Sequence, residues 1–263
     1  MKTHNYLHFL ALVLLISFTA CSSSDNKVTA IKSIEATSDF DLSLYKNKTV
    51  YVGDKEYNFE IAGNTIKATP KSKEDIYYAH SIPGLDGGGS SVSITLTNHD
   101  EDDNEIIDQS SFDKLLQYDE LSWNGLGKYS SHIKDVKLSH RSSFVEFSTK
   151  NIPEDAVIQI REKHFNQDKS IYLKPLIKDN HYSFIIKYGM MHTDIVVEYK
   201  DKTYTLPIEV FKNRSTKAPG PDLGRLYITF DLVYDTYFTG KEFYLTYINS
   251  EQWTGQHLEL NKN

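Results

Sequence analysis

The segment Ser-Val-Ser-Ile-Thr-Leu-Thr at residues 91–97 alternates polar and apolar side chains at every position. This period of two is typical of a β-strand that buries one face and exposes the other. A longer segment at residues 226–235 repeats the pattern, with Leu226, Ile228, Phe230, Leu232 and Tyr234 on one face and Tyr227, Thr229, Asp231, Val233 and Asp235 on the other. Such alternation predicts strands that are packed on one side only, as in antiparallel sheets.

Most of the chain after residue 48 carries the same signal. Further strands are predicted at residues 49–53, 56–61, 105–108, 135–139, 143–148, 156–161, 170–174, 182–188, 194–200, 203–211 and 242–248. A helix is predicted at Ser111 to Asp119, where Phe112, Leu115 and Leu116 recur at helical spacing. Many short strands without alternating helices predict an all-β protein with antiparallel β-sandwich architecture, built from two packed β units with one short helix.

The chain of 263 residues is long enough for one large domain or two small ones. The stretch at residues 121–131, with Gly125 and Gly127, is interpreted as a loop and as the preferred domain boundary. We therefore expect an N-terminal β domain at residues 48–128 and a C-terminal β-sandwich domain at residues 129–263. Residues 212–224, with Pro219 and Pro221, are interpreted as a long loop that returns to the same sheet.

The first residues carry an export signal. Lys2 is followed by an apolar run from Phe9 to Phe18 and by Thr19-Ala20 before Cys21, which is the only cysteine of the chain. A basic start, a short apolar run and small residues at the cut are typical of secretory signals. With a cysteine at the cut, the segment resembles a bacterial lipoprotein signal. The resemblance implies removal of residues 1–20, a diacylglyceryl group on the Cys21 thiol and a fatty acyl chain such as palmitate on its amine.

Residues 21–47 are therefore expected to form a lipidated cysteine and a polar tether. Ser22 to Asn26 resemble the polar leader of surface-exposed lipoproteins of the Bacteroidota. This resemblance implies an outer-membrane lipoprotein on the cell surface, with the periplasmic face as the alternative. The fimbrillin-like pilus subunits of that phylum also combine a lipid anchor with β-sandwich domains. Those matured by a protease need an arginine near the end of the N-terminal strand, whereas the first arginine here is Arg141. This difference argues against a polymerising pilin and leaves a tip or anchor subunit that does not polymerise as the alternative.

The charge of the chain excludes several classes of partner. The formal net charge is −7, with acidic and basic residues interspersed. Nucleic-acid binding needs a clustered basic face, and electrostatic membrane binding needs a polybasic patch. We expect neither, so the membrane would be contacted through the lipid anchor. If Cys21 carries the lipid, the chain can form no disulfide.

Motifs for catalysis are absent from the sequence. It has no Gly-x-Ser-x-Gly elbow, no phosphate-binding loop and no His-Glu-x-x-His motif. Two Ser-x-x-Lys matches, at residues 43–46 and 131–134, lack both a helix and a Lys-Thr-Gly partner. The sequence therefore predicts a protein that is not an enzyme. An envelope hydrolase stays open as the alternative, because a pair of glycosidase carboxylates is defined in space rather than in sequence.

The loop Asn98 to Glu105 reads Asn-His-Asp-Glu-Asp-Asp-Asn-Glu. Asp100, Asp102 and Asn104 fall at alternate positions, as in the first half of a calcium-binding loop. Glu105 stands where that loop needs glycine, and Ser111 stands where it needs a bidentate glutamate. The favoured interpretation is a charged hairpin tip between strands 91–97 and 105–108, with no cofactor, and calcium is the alternative. The same acidic loop would suit a periplasmic inhibitor or immunity-type protein that meets a basic partner.

Aromatic residues crowd the C-terminal segment. Phe230, Tyr234, Phe243 and Tyr247 follow the alternation that is expected for the core, which leaves Tyr237, Tyr244 and Trp253 as candidates for the surface. Tyrosine and tryptophan combine a flat apolar face with a polar end, which suits contacts with sugars and with proteins. The sequence as a whole predicts a lipid-anchored, noncatalytic binding module for a glycan or protein ligand.

Overall fold

The computed structural model describes residues 28–80, 90–98, 106–127, 129–163, 170–186, 192–208, 226–236 and 242–252. In chain order these residues form the strands β1 (Thr29–Ile31), β2 (Ser33–Thr37), β3 (Thr49–Val52), β4 (Lys55–Ala62), β5 (Thr65–Pro70), β6 (Tyr77–Ala79), β7 (Ser90–Thr97), β8 (Ile106–Asp108), β9 (Leu121–Gly127), β10 (His132–Lys137), β11 (Ser139–His140), β12 (Ser143–Lys150), β13 (Val157–Lys163), β14 (Ser170–Lys174), β15 (Leu176–Lys178), β16 (His181–Ile186), β17 (His192–Tyr199), β18 (Lys202–Pro207), β19 (Leu226–Tyr234) and β20 (Phe243–Gln252). A 3-10 helix covers Leu42–Tyr45, and an α-helix, α1, covers Phe112–Tyr118. The all-β prediction is confirmed, as is the single predicted helix.

The strands form one large sheet, two five-stranded sheets and a separate antiparallel pair. The large sheet has the order β10-β2-β5-β4-β3-β7-β9-β11, and β1 pairs with β6. The front sheet has the order β15-β16-β12-β19-β20, and the back sheet has the order β18-β17-β13-β14-β8. Most neighbours are antiparallel, whereas β2–β10, β12–β19 and β8–β14 are parallel.

The front and back sheets pack face to face. Tyr199 of β17 makes edge contacts with Tyr234 of β19 and Phe243 of β20, at ring-centroid distances of 5.6 Å and 5.8 Å. Within the front sheet, Phe147 stacks on Phe230 at 5.1 Å. Both rings are fully buried in the sandwich. The alternation of β19 therefore points its apolar face into the sandwich, as the sequence predicts.

Strand pairing crosses the boundary predicted at residue 128 in both directions. β10 and β11, which follow residue 128, complete the two edges of the large sheet. β8, which precedes it, joins the back sheet through β14. The hairpin expected between residues 91–97 and 105–108 is wrong, because β7 pairs with β3 and β9 instead. The division into two domains stays a prediction. If residue 128 is the boundary, each domain contributes strands to a sheet of the other.

The polar tether predicted for residues 21–47 is wrong from residue 29 onward. Ile34 and Ala36 of β2 are fully buried in the large sheet, while Glu35 and Thr37, which alternate with them, are exposed. Tyr45 of the 3-10 helix is buried as well. The apolar residues in this segment are spaced to fill the core, so the segment folds instead of remaining a solvated linker.

The loop predicted at residues 121–131 is also wrong, because residues 121–127 are strand β9. β9 pairs with β7 from Leu121 to Gly127. Gly125 does not end the strand. A side chain at this position would collide with the ring of Trp123 and the hydroxyl of Tyr129. Glycine inside a strand often marks such a close approach.

No helix among the described residues is long and apolar enough to cross a membrane.

Candidate functional site

The outward face of the front sheet carries a concentration of polar side chains. Val145 and Phe147 of β12 point into the sandwich, so Glu146, Ser148 and Lys150 point away from it. The register with β16, β19 and β20 aligns further residues on the same side. We call this surface the polar face; it comprises Glu146, Ser148, Lys150, His181, Ser183, Tyr227, Thr229, Asp231, Tyr244 and Thr246.

Glu146 is the centre of the first cluster on the polar face. Its register partners are Ser183 on β16 and Thr229 on β19. The Ser183 hydroxyl donates to Glu146 Oε1 over 3.1 Å, and the Tyr227 hydroxyl donates to Glu146 Oε2. Each carboxylate oxygen thus accepts a hydroxyl, which fixes the orientation of the carboxylate on the sheet.

Asp231 is the centre of the second cluster. Although it lies on the outward face, only 5% of its surface is exposed. The Ser148 hydroxyl donates to Asp231 Oδ1, and Lys150 Nζ lies 2.5 Å from Oδ2. Burial raises the pKa of Asp231, but the hydrogen bonds from Lys150 and Ser148, with the positive charge of Lys150, outweigh it and hold the pKa below its ordinary value. Asp231 is therefore an ionised, well-positioned acceptor.

Tyr244 brings an aromatic side chain to the edge of the polar face. It lies on β20 opposite Val233, while its neighbour Phe243 is buried in the sandwich. Tyr244 is half-buried, so part of its ring stays accessible. The predicted aromatic site included Tyr237 and Trp253, and both lie outside the described residues. Of that predicted set, the structure places Tyr244 alone.

The other predicted site residues cannot be placed. Cys21, the predicted lipid attachment point, and the predicted calcium ligands Asp100, Asp102 and Asn104 lie outside the described residues. Within the described part of the chain, no group of three or more His, Cys, Asp or Glu residues could hold a metal ion. Calcium binding by the acidic loop and inhibition of a basic partner therefore stay predictions.

Asp231 does not have the raised pKa that a general acid of a hydrolase needs. Glu146 and Asp231 lie on adjacent strands of one flat sheet, with Thr229 in register with Glu146 and Ser148 in register with Asp231. Glycoside hydrolysis needs one carboxyl whose pKa is raised so that it can donate a proton. The pKa of Asp231 is shifted in the opposite direction. The arrangement favours acceptance of hydrogen bonds over proton transfer.

Sequence reasoning missed the residues that form the two clusters, but the signal was present. Alternation already assigned Tyr227, Thr229 and Asp231 to a single face of one strand. The pairing of β12 with β19 could not be deduced, since the two strands are parallel and about 80 residues apart in sequence. The carboxylate of Glu146 therefore meets the Tyr227 hydroxyl only in the folded chain.

Comparisons with known proteins give no family. No family model matches the chain, and no curated protein matches it. Among solved structures, a candidate cell adhesion protein from Bacteroides uniformis is 9% identical with a TM-score of 0.47, over 85% of this chain and 99% of that chain. The tip fimbrial protein Mfa3 from Porphyromonas gingivalis, with a C-terminal truncation, is 8% identical with a TM-score of 0.42, over 86% and 100%. The fimbrial anchor protein Mfa2 from the same organism is 9% identical with a TM-score of 0.43, over 84% and 98%. We infer function from the residues of this chain.

Proposed function

We propose that this protein is a lipid-anchored, noncatalytic binding module of the bacterial cell envelope, and that the polar face of the front sheet binds its ligand. The observation that carries the proposal is the fixed array of acceptors on that face. Glu146 and Asp231 are each held in one orientation by neighbouring hydroxyls or by an ammonium group. Groups that are already oriented lose little conformational entropy when a ligand binds.

The chemistry of the polar face suits a hydroxylated ligand. Carboxylates and hydroxyls on a sheet can accept and donate hydrogen bonds to sugar hydroxyls, and the Tyr244 ring can cover the apolar side of a sugar. A glycan is therefore the ligand that we favour. A polar protein surface is the alternative, and binding of a protein in place of a glycan would distinguish the two.

The proposed ligand site is tested with the purified protein carrying Cys21→Ala, which removes the lipid attachment point. On an array of bacterial and host glycans, Tyr244→Ala is expected to weaken binding about tenfold, because a ring that covers a sugar contributes about 1 kcal/mol or more. Tyr172→Ala is the matched control, since Tyr172 is an exposed tyrosine on the back sheet. Equal binding by both variants would reject the polar face as the site.

The proposed envelope location rests on the signal that ends at Cys21, and it has its own test. Protease is added to intact cells, to lysed cells and to cells that express Cys21→Ala. Digestion on intact cells would place the protein at the cell surface, and protection until lysis would place it at the periplasmic face. Release of the wild-type protein into the soluble fraction, as for the Cys21→Ala variant, would contradict the lipid anchor.

A further inference from the structure

The large sheet closes on itself through one segment of the chain. Its two edge strands, β10 and β11, are separated in sequence by Leu138 alone. β10 pairs with β2, and β11 pairs with β9. Residues 132–140 therefore join the two edges of the large sheet, and the chain then continues into β12 of the front sheet.

The N-terminal segment enters the large sheet at one end of the β2–β10 pair. The two strands are parallel, with Ser33 opposite His132 at the entry end and Thr37 opposite Lys137 at the other end. Because the strands are parallel, the start of β2 and the end of β10 lie at opposite ends of the pair. The chain thus enters at Ser33 and leaves toward the sandwich beyond Lys137.

The other connections to the sandwich leave the large sheet from the same end as β10. Leu121, where the chain returns from α1, pairs with Leu96 near the end of β7 and with His140 at the end of β11. From this end the chain runs to β8, α1 and β12. A force between the N-terminal segment and the front sheet would therefore act along β2 and β10. It would slide the two strands past each other and load their hydrogen bonds together, because these bonds run between the strands.

Several hydrogen bonds join the two strands at the entry end. The N–H groups of Lys32 and Ser33 both donate to the Ser131 carbonyl, over 2.7 Å and 3.2 Å. The side chains of Ser33 and His132 are also in contact, with Oγ 2.8 Å from Nδ1. The first residues that would feel the tension are therefore bonded directly to the start of β10.

The far end of the β2–β10 pair is bonded as well. The Leu138 N–H donates to the Thr37 carbonyl over 2.7 Å, and Lys137 forms an ion pair with Asp39 over 2.6 Å. Between the two ends, the apolar side chains that face the core are Ile34, Ala36, Ile133 and Val136. On its other side β2 is held by four register pairs with β5, and β1 is held by three register pairs with β6.

We propose that the β2–β10 pair is a mechanical clamp, which keeps the protein folded when tension acts between its N-terminal anchor and a ligand on the polar face. This inference rests on the proposed function, which supplies the two points where the force acts. An anchor at Cys21 pulls on β2 through β1, and a ligand on the front sheet pulls on β10 through β12. The clamp lets a binding module of the cell envelope hold its ligand under load.

The test measures the lifetime of the folded protein under constant force, with handles attached to the Cys21 thiol and to Thr229→Cys on the polar face. Expression without lipid attachment leaves Cys21 free, and it is the only cysteine of the chain. Lys32→Pro removes an N–H that donates to Ser131 and should shorten the lifetime about fivefold. Ser33→Ala, a milder change that removes the side-chain contact with His132, should shorten it about twofold.

A second pair of handles leaves the β2–β10 pair out of the path of the force. In protein with Cys21→Ala, the handles are attached to Ser139→Cys and Thr229→Cys, so the tension acts only beyond β10. Lys32→Pro should leave the lifetime unchanged in this arrangement. Lys178→Pro is the matched control for the Cys21 handle, because Lys178 is an exposed lysine on the edge strand β15 of the front sheet. It should leave the lifetime unchanged.

Two results would overturn the proposal. One is an equal lifetime of wild type, Lys32→Pro and Ser33→Ala when the force is applied at Cys21. The other is an equal shortening by Lys32→Pro with both pairs of handles, which would show a general loss of stability. Neither result depends on the ligand or on lipidation. Failure of the clamp is therefore distinguishable from failure of the polar face, which the glycan array tests.

Discussion

Asp119 is a buried carboxylate whose two oxygens both have hydrogen-bond partners. Its Oδ2 accepts from the Tyr45 hydroxyl at 2.8 Å and lies 2.7 Å from His140 Nδ1, while its Oδ1 accepts from the Glu120 amide at 2.8 Å. Phe40 stacks on the His140 ring at 4.5 Å. Burial and the adjacent Asp119 charge raise the pKa of Tyr45 well above its ordinary value, so the tyrosine stays a donor. These contacts join the 3-10 helix, the end of α1 and β11.

Asp119→Asn is expected to lower the free energy of unfolding by about 3 kcal/mol. The new amide N–H group would face other hydrogen-bond donors, and the substitution would remove the carboxylate that His140 contacts. Urea unfolding at pH 7 measures the change. Asp39→Asn is the matched control, since Asp39 pairs with Lys137 on the exposed surface and should lose less than about 0.5 kcal/mol. A similar small loss for both variants would contradict the structural role of Asp119.

Asp231 gives a prediction for the effect of pH. Because its pKa is lowered in the folded protein, the ionised form stabilises the fold. That contribution is fully present above the ordinary value of about 3.9 and is lost as the pH falls through the lowered folded pKa. The difference in unfolding free energy between wild type and Asp231→Asn should stay constant from pH 7 to pH 5 and shrink below about pH 4. Urea unfolding from pH 7 to pH 2.5 checks this, with the exposed Asp54→Asn as control; a gap that widens in acid would show that the sign is wrong.

At the scale of elements, tight turns set the register of the hairpins. Gly53 joins β3 to β4 with φ of +60°, and Gly63 joins β4 to β5 with φ of +59°. The two hairpins place Tyr57 in the core and leave Asn58 exposed. Positive φ favours glycine at both turns, because other residues are strained there. The turns differ in their surroundings, since the Tyr77 ring lies directly over Gly53 and no atom lies near Gly63.

This difference provides a matched pair of substitutions. Gly63→Ala should lower the unfolding free energy by about 1 kcal/mol, from backbone strain alone. Gly53→Ala should cost about 1 kcal/mol more, because its methyl group must also displace Tyr77. Thermal and urea unfolding of the two variants checks the order. Equal losses would show that Tyr77 moves away from Gly53 without cost.

At the scale of the whole molecule, side chains of the segment between β8 and β9 bond both sheets of the sandwich. Gln109 is fully buried, and its amide bonds the backbone of Ile185 in both directions, over 3.0 Å and 2.7 Å. The Gln109 side chain therefore makes the two hydrogen bonds that a neighbouring strand would make, at a point on β16 beyond the end of β15. The Tyr118 hydroxyl of α1 also donates to Glu162 of β13 over 3.3 Å. The helix that the sequence predicts thus serves as a connection between sheets.

Gln109→Leu should leave the N–H and the C=O of Ile185 without hydrogen-bond partners. We expect this loss to lower the free energy of unfolding by about 2 kcal/mol. Hydrogen exchange should accelerate at the Ile185 amide while the Val197 amide of the back sheet exchanges as before. Gln159→Leu, a substitution of the same type on the outward face of β13, is the control. Unchanged protection of Ile185 would contradict the bridging role of Gln109.

The sequence alone predicted most strands, because the alternation of polar and apolar residues shows which side chains of a strand are buried. The predictions for residues 29–47 and 121–127 were wrong, because they relied on local composition. The polar residues and glycines of these segments were given more weight than the spacing of their apolar residues. In both cases a distant partner decided the outcome. β2 is held by β5 and β10, and β9 is held by β7 and by rings packed over Gly125.

What the sequence determined by itself is the set of half-buried strands and the helix at Phe112–Tyr118, since the signal for each lies in consecutive residues. Only the tertiary structure decided which strands are neighbours. It placed Glu146 beside Tyr227 and Asp231 beside Lys150, and it placed Lys48 near α1. The physical reason is that pairing between distant strands depends on the whole core, so the polar face exists only after the chain has folded.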